Sequence, residues 1–229
     1  GIKTFRGLKN SMWNNYKIEE VASLDGWRLD RTKVLDFYNE RRRELPSVFP
    51  NKAHHSLVEL EQHFDVVHIT QNVSDLLERA GATDVIHLHG ELTKARGSFY
   101  TGTPNWLDKT IDIGYNDINI GDKCPISDSQ LRPNIVWFGE YPFNVEEAYS
   151  AVYNADILLI IGTSLQIGYT LNLLNNVKKY PKAALVYYID PNPTHYLDNY
   201  NLKIEYIKKS AVDGVPLITE LLLNQLNEE

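Results

Sequence analysis

Short apolar segments alternate with amphipathic segments along much of this chain, a pattern typical of proteins in which strands alternate with helices. Residues 64–69 and 84–88 are short, apolar and rich in β-branched side chains, so each segment predicts a buried strand. Between them, residues 74–80 predict a short helix that ends at Gly81, because glycine commonly terminates helices. The first half of the chain therefore contains a predicted strand, helix and strand in succession.

The same alternation continues toward the carboxyl end. Strands are predicted at residues 134–138, 156–161, 184–189 and 203–207, and helices at residues 145–154, 170–179 and 215–226. This order predicts an α/β fold with a doubly wound, parallel, Rossmann-like sheet. Residues 14–50 and 91–131 do not follow the alternation, and we expect them to form a smaller inserted lobe. The predicted sheet domain comprises residues 1–13, 51–90 and 132–229.

Composition narrows the class of protein. The chain has 229 residues, 43% of them hydrophobic, which is enough for one sizeable core. Its net charge of -7 argues against nucleic acid as the main partner, and no run of about 18 apolar residues predicts a membrane span. A single cysteine, Cys124, excludes an internal disulfide and any site that needs two thiolates. We therefore expect no metal, no membrane partner and a location in the cytoplasm.

Polar side chains follow the two predicted strands of the first half. Gln71 and Asn72 come directly after the first strand, and His89 comes directly after the second. Ligands of open α/β sheets bind beyond the carboxyl ends of the strands, so these residues are expected to face one crevice. An amide pair with an imidazole predicts a polar ligand and a proton acceptor. The alternative for a lone histidine is a hydrogen-bonded structural role.

Two further segments suit a phosphorylated ligand. Gly162, Thr163 and Ser164 follow an apolar strand and open a helix, where backbone N–H groups and hydroxyls can hold a ribose or a phosphate. Phe5 and Arg6 lie between glycines at the start of the chain, and arginine forms charge-assisted bonds with phosphate. The alternatives are an ordinary capped turn for the first segment and a terminal loop for the second.

Tyr38 and Arg41 lie on a probable helix and are three residues apart, so their side chains share one face. A phenol beside a guanidinium suits a carboxylate, because arginine supplies a two-pronged donor and tyrosine adds a hydroxyl. The alternative is a solvated basic face.

Taken together, these segments resemble the sirtuins, a family of NAD-dependent protein lysine deacylases. The matching stretches are GIKTFRG (1–7), TQNVSDLLERAG (70–81), HLHGEL (87–92), LRPNIVWFGE (131–140), GTSL (162–165) and AVDGVP (211–216). They occur in family order and cover essentially the whole chain. The stretch FYNERRREL (37–45) is most similar to the class that removes succinyl and malonyl groups.

The resemblance implies roles for many residues. NAD would be bound by Phe5, Arg6, Trp13, Gln71, Asn72, Ser74, Gly162, Thr163, Ser164, Asp190, Asn192 and Ala211. His89 would be the general base, with Asn72 as a second catalytic residue, and Tyr38 and Arg41 would bind the acyl carboxylate. Val136, Phe138, Gly139 and Glu140 would bind the acylated lysine of a protein or peptide. The implied products are free lysine, nicotinamide and O-acyl-ADP-ribose, with some deacetylation besides desuccinylation and demalonylation.

Three departures from the family pattern matter. The opening strand and Gly-Ala-Gly phosphate turn of the family belong just before Gly1, so we predict a longer polypeptide with that segment upstream. Most sirtuins hold a structural zinc with two cysteine pairs, and with Cys124 alone we predict no zinc. Ser74 stands where the family usually has an aspartate that contacts nicotinamide, and Leu77 stands where histidine is usual.

These departures leave two other functions open. One is an NAD hydrolase or ADP-ribosyltransferase on the same scaffold, which the serine at position 74 permits because only the first half of the chemistry is needed. The other is a non-catalytic module that binds NAD or an acylated peptide.

Overall fold

The computed structural model describes residues 16–98, 110–165, 168–177, 183–194 and 202–227, together with residues 197 and 200. Its helices are α1 (Ile18–Val21), α2 (Leu24–Leu29), α3 (Arg31–Glu44), α4 (Lys52–Leu60), α5 (Leu76–Ala80), α6 (Val145–Asn154), α7 (Gly168–Asn175) and α8 (Ala211–Asn227). Its strands are β1 (His68–Thr70), β2 (Val85–His87), β3 (Gly90–Gly97), β4 (Ile111–Asp112), β5 (Leu131–Ile135), β6 (Ile157–Ile161), β7 (Leu185–Ile189) and β8 (Ile204–Ile207).

The described residues divide into two compact units. The first unit contains those up to residue 49 together with those of 70–76 and 87–143. The second unit contains those of 50–69, 77–86 and 144–229. The predicted limits of the sheet domain and the inserted lobe stay a prediction.

The second unit contains a parallel sheet in the order β6-β7-β8, with Ile157 opposite Leu185 at its start. These strands lie within one residue of their predicted positions, because β6 and β7 are apolar runs and β8 is apolar except for Glu205. Of the helices in the described ranges, none combines the length and apolar composition needed to cross a membrane.

Both faces of β7 are covered. Tyr187 and Ile189 share one buried cluster with Val215 of α8, and Val186 and Tyr188 share another with Leu174 of α7. Successive strand residues point to opposite faces, so helices pack on both sides of the sheet. This is the layering that the α/β prediction requires.

The two strands predicted in the first half are shorter than expected. His68 donates its backbone N–H to Asp84 O at 2.9 Å, and Leu88 donates to Thr70 O at 2.9 Å, which joins β1 to β2. Residues 64–67 were predicted as strand but lie before β1. Phe64 and Val66 of this segment pack against the buried cluster that contains Tyr187, so their apolar side chains serve the core without a strand.

The first unit contains an antiparallel sheet, β4-β3-β5, that the sequence pattern did not predict. β3 lies in a region expected to be irregular, and the strand predicted at residues 134–138 is β5, which ends at Ile135. A shift of register between Glu91 and Ala95 interrupts the alternation along β3. In β5, Arg132 and Pro133 weaken the strand signal further.

Buried polar side chains of α3 hold this unit together. Arg42 is fully buried and donates from Nε to Leu92 O at 2.6 Å and from Nη1 to Asn39 Oδ1 at 2.6 Å. Asn39 donates from Nδ2 to Ile118 O at 2.9 Å, and its Oδ1 accepts from Ile118 N at 3.0 Å. The helix is thereby bonded to β3 and to the loop before β5.

We expect Asn39→Leu to lower the free energy of unfolding by about 3 kcal/mol, because it leaves the backbone groups of Ile118 and one Arg42 donor buried without their partner. Urea denaturation measures this. The control is Asn116→Ala, which removes an exposed amide bonded to Ile113 O and should cost less than about 1 kcal/mol. Equal effects of the two substitutions would contradict the prediction.

Candidate functional site

His89 lies just beyond β2, and its ring is half-buried. Its Nδ1 is 2.9 Å from the backbone oxygen of Gln71. A carbonyl oxygen only accepts hydrogen bonds, so Nδ1 carries the ring hydrogen and Nε2 carries the lone pair. Burial lowers the pKa of His89, and the hydrogen bond to Gln71 opposes that shift only in part. The imidazole is therefore neutral near pH 7, with a basic nitrogen at Nε2.

Hydrogen bonds also fix the loop that follows β1. Asn72 donates its backbone N–H to Thr70 Oγ1 at 3.0 Å, and Asn72 O lies 3.3 Å from His87 Nδ1. Leu92 N donates to Val73 O at 2.8 Å. Sequence reasoning missed the contact of His87, for which the only signal is a polar residue in an apolar strand. The loop brings the backbone oxygen of Gln71 next to the ring of His89. The catalytic role of His89 and the binding roles of the Gln71 and Asn72 side chains stay predictions.

Gly90 allows β3 to approach β5 closely beside His89. Its φ is +83°, and a Cβ at this position would lie 1.9 Å from Asn134 O. No other residue type fits there without a backbone shift. The preceding residue, His89, accepts a hydrogen bond at its backbone oxygen from Val136 N at 2.9 Å. The backbone of the histidine is thus bonded to the first residue of the predicted substrate-binding stretch.

Glu140 closes the turn formed by residues 136–140. Its carboxylate accepts from Trp137 N at 2.8 Å and pairs with Arg132 at 2.8 Å and Arg96 at 3.1 Å. Burial alone would raise the pKa of Glu140, but the hydrogen bonds and charges of the two arginines outweigh it and lower the pKa. Glu140 therefore stays ionised and stabilises the turn.

The other predicted substrate-binding residues lie on the same turn. Phe138 donates its backbone N–H to Ala22 O at 2.9 Å while its side chain is 49% exposed. Gly139 follows with a φ of +89°, which favours glycine. Contact of Val136, Phe138, Gly139 and Glu140 with a peptide stays a prediction.

Tyr38 and Arg41 are largely buried, so the alternative of a solvated basic face is wrong. The hydroxyl oxygen of Tyr38 accepts from Trp137 Nε1 at 3.0 Å, and burial raises the pKa of Tyr38. Arg41 donates from Nη1 to Phe37 O at 2.6 Å, and its guanidinium lies 3.3 Å from the centre of the Phe37 ring. Burial lowers the pKa of Arg41, yet arginine remains charged at neutral pH. A neutral phenol and a cation therefore stand on one face of α3.

In the second unit, Gly162, Thr163 and Ser164 form the turn that follows β6. Gly162 has a φ of +58° and donates its N–H to Ile189 O at 2.9 Å, with open space where a Cβ would stand. Ser164 is exposed. The turn thus carries hydroxyl and backbone groups that suit a ligand, and its binding of a ribose or a phosphate stays a prediction.

Tyr188 connects this turn to the next one. Its hydroxyl donates to Thr163 O at 2.7 Å and accepts from Thr194 N at 3.3 Å. The second turn begins with Asp190, whose Oδ1 accepts from Asn192 N at 2.7 Å. Sequence reasoning missed Tyr188, although a tyrosine that is fully buried in an apolar strand needs a polar partner.

Two of the remaining predicted residues are described in the structure and three are not. Ser74 is half-buried beyond the loop of Gln71 and Asn72, and Ala211 is the first residue of α8. Phe5, Arg6 and Trp13 lie outside the described residues. The roles of all these residues in binding NAD stay predictions.

Comparisons with known proteins identify the family of this chain. The model of the Sir2 family matches residues 1–168. A protein of Helicobacter pylori named NAD-dependent protein deacylase is 45% identical over 230 residues, which cover 96% of this chain and 92% of that protein.

Solved structures agree as well. A Sir2 homologue variant in complex with ADP-ribose is 31% identical, has a TM-score of 0.83, and is matched over 100% of this chain and 88% of its own. A Sir2 homologue in complex with NAD is 32% identical, has a TM-score of 0.81, and is matched over 99% of this chain and 85% of its own. The prediction of an α/β, Rossmann-like fold is confirmed, and the chain belongs to the Sir2 family.

Proposed function

We propose that this chain is an NAD-dependent protein lysine deacylase that prefers succinyl and malonyl groups. The names of its relatives support the reaction, and the ligands of the similar structures support NAD as the cofactor. One observation carries the acyl preference: Tyr38 and Arg41 are buried together on α3, where a neutral donor and a cation suit a carboxylate. The proposed partners are acylated lysine side chains of proteins or peptides.

The residues of the second unit fit a dinucleotide. Polar groups for ribose and phosphate are provided by the hydroxyls of Thr163 and Ser164 and by the turn from Asp190 to Asn192. Open space at Gly162 leaves room for a ligand to approach the backbone. The family resemblance also assigns NAD contacts to the side-chain amides of Gln71 and Asn72. When bound, NAD supplies the ribose carbon to which the acyl oxygen becomes attached as nicotinamide leaves.

The chain's own residues would bind, orient and exchange protons. His89 accepts a proton at Nε2 while its Nδ1–H remains bonded to Gln71 O, which fixes the ring during the transfer. The turn at residues 136–140 would contact the peptide and position its acylated lysine. Arg41 and Tyr38 would bind the far end of an acidic acyl chain.

The test compares peptides of one sequence that carry acetyl-, malonyl- or succinyl-lysine, with NAD and with nicotinamide release as the readout. We expect kcat/KM to be larger for the two acidic acyl groups than for acetyl. A kcat/KM that is largest for acetyl would reject the acyl preference. Nicotinamide release that does not depend on any acylated peptide would favour the NAD hydrolase that Ser74 permits.

We expect Tyr188→Phe to raise KM for NAD about fivefold with little change in kcat, because the two turns lose their shared hydroxyl. The measurement is steady-state kinetics at saturating peptide. Tyr187→Phe is the matched control: Tyr187 is equally buried in the same strand but points to the opposite face. A similar KM for both variants would contradict the prediction.

A further inference from the structure

The indole of Trp137 has one fixed orientation. Its side chain is 1% exposed, and the Arg132 guanidinium lies 3.3 Å from the ring centre. Trp27 packs against it with ring centres 5.6 Å apart, and Glu140 accepts its backbone N–H. With the ring held in this way, Nε1–H points at the hydroxyl oxygen of Tyr38 at 3.0 Å.

This contact decides how the Tyr38 hydroxyl can be used. Indole Nε1 is only a donor, so the tyrosine oxygen is the acceptor and the hydroxyl hydrogen must point elsewhere. Among the described residues, the Tyr38 hydroxyl has no other hydrogen-bond partner. Accepting a hydrogen bond also polarises the O–H bond and strengthens it as a donor. The phenol is therefore set to donate to a group that enters from outside.

Arg41 supplies a positive charge near this donor, and a carboxylate can bind to both. It lies one helical turn beyond Tyr38, and its side chain is 14% exposed, so water screens its charge poorly. Its Nη1 also lies 3.4 Å from the carboxylate of the exposed Glu40, so an incoming carboxylate would share or displace this ion pair. An incoming carboxylate would accept from both groups. An acyl chain that ends in a methyl group can accept from neither.

We infer that Trp137 is a specificity-determining positioning residue, whose Nε1–H turns the Tyr38 hydroxyl into a donor for the carboxylate of an acidic acyl chain. The inference rests on the proposed preference for succinyl and malonyl groups. It adds a residue that does not touch the substrate and yet selects among substrates through its hydrogen bond to Tyr38.

The experiment measures the ratio of kcat/KM for succinyl- to acetyl-lysine peptide in Trp137→Phe, Tyr38→Phe and the double variant. Trp137→Phe should lower this ratio about fivefold, through KM for the succinyl peptide. In the Tyr38→Phe background the same change should leave the ratio as it is, because the hydroxyl is already absent. Trp27→Phe removes an indole from the same cluster without touching Tyr38, and should keep the wild-type ratio.

A Trp137→Phe ratio equal to that of the wild type, or an equal fall in the Tyr38→Phe background, would overturn the inference alone. If the wild-type protein prefers the acetyl-lysine peptide, the proposed function and the inference are both overturned, and this result is obtained without any variant.

If Trp137→Phe does not fold, 3-benzothienylalanine at position 137 keeps the shape of the indole and removes only the N–H. The same fall in the ratio is then expected.

Discussion

Replacing His89 with alanine is expected to lower kcat/KM for deacylation about a thousandfold, the largest effect of any single substitution considered for this chain. The ring is neutral because burial lowers its pKa, and Nδ1 is committed to Gln71 O, so Nε2 is the basic nitrogen. Alanine removes that base and leaves a half-buried space at the end of β2. Nicotinamide release with an acylated peptide is the measurement.

A second substitution separates chemistry from structure. Glutamine at this position can still donate an N–H to Gln71 O, but its amide has no basic nitrogen. We therefore expect His89→Gln to retain the loop after β1 and to be as inactive as His89→Ala. Activity within tenfold of the wild type in His89→Gln would mean that the histidine only holds the loop.

The pH dependence checks the same residue. Neutral imidazole is the active form, so kcat/KM should fall as pH falls and His89 becomes protonated. Since its pKa is lowered from the ordinary value of 6.5, the fall should be centred below pH 6.5. A midpoint above pH 6.5 would contradict a buried, neutral base at this position.

Local pattern was sufficient for some parts of the fold and insufficient for others. β6 and β7 are continuous apolar runs, so the pattern located them within one residue. β3 was missed because only some of its residues are buried and a shift of register interrupts their alternation. At residues 64–67 the pattern predicts a strand that does not form, because an apolar segment can pack in a core without joining a sheet.

The candidate site likewise contains some contacts that the sequence indicated and others that it did not. The sequence indicated that His89 and Gln71 lie close together, because polar residues at strand ends share an edge, and the structure places His89 Nδ1 2.9 Å from the backbone oxygen of Gln71. The predicted role of the Gln71 side-chain amide stays a prediction. It did not indicate that Trp137 bonds to Tyr38, which is 99 residues away, or that Tyr188 bonds to Thr163. Such partners are set by tertiary packing, and spacing along the chain does not encode them.

Replacing Arg41 with methionine is expected to lower kcat/KM for a succinyl peptide about a hundredfold relative to an acetyl peptide. The guanidinium is 14% exposed on the side chain, so it would meet the acyl carboxylate where water screens the charge poorly. Methionine has a similar length and can still pack on the Phe37 ring, which limits the structural effect. Tyr38→Phe removes one neutral donor and should lower the same ratio about tenfold.

The matched control for this pair is Arg43→Met. Arg43 lies on the same helix, but its side chain is 61% exposed and pairs with Asp117 at 3.3 Å. Its loss should leave the succinyl-to-acetyl ratio at the wild-type value, because a solvated charge on another face contributes little to a buried carboxylate. If Arg41→Met and Arg43→Met changed the ratio equally, a general basic surface would explain any preference for acidic acyl groups. If the ratio falls strongly in Arg41→Met, less in Tyr38→Phe and not at all in Arg43→Met, the preference is assigned to Arg41 and Tyr38. These two side chains differ from Arg43 in their burial and in the face of α3 that they occupy.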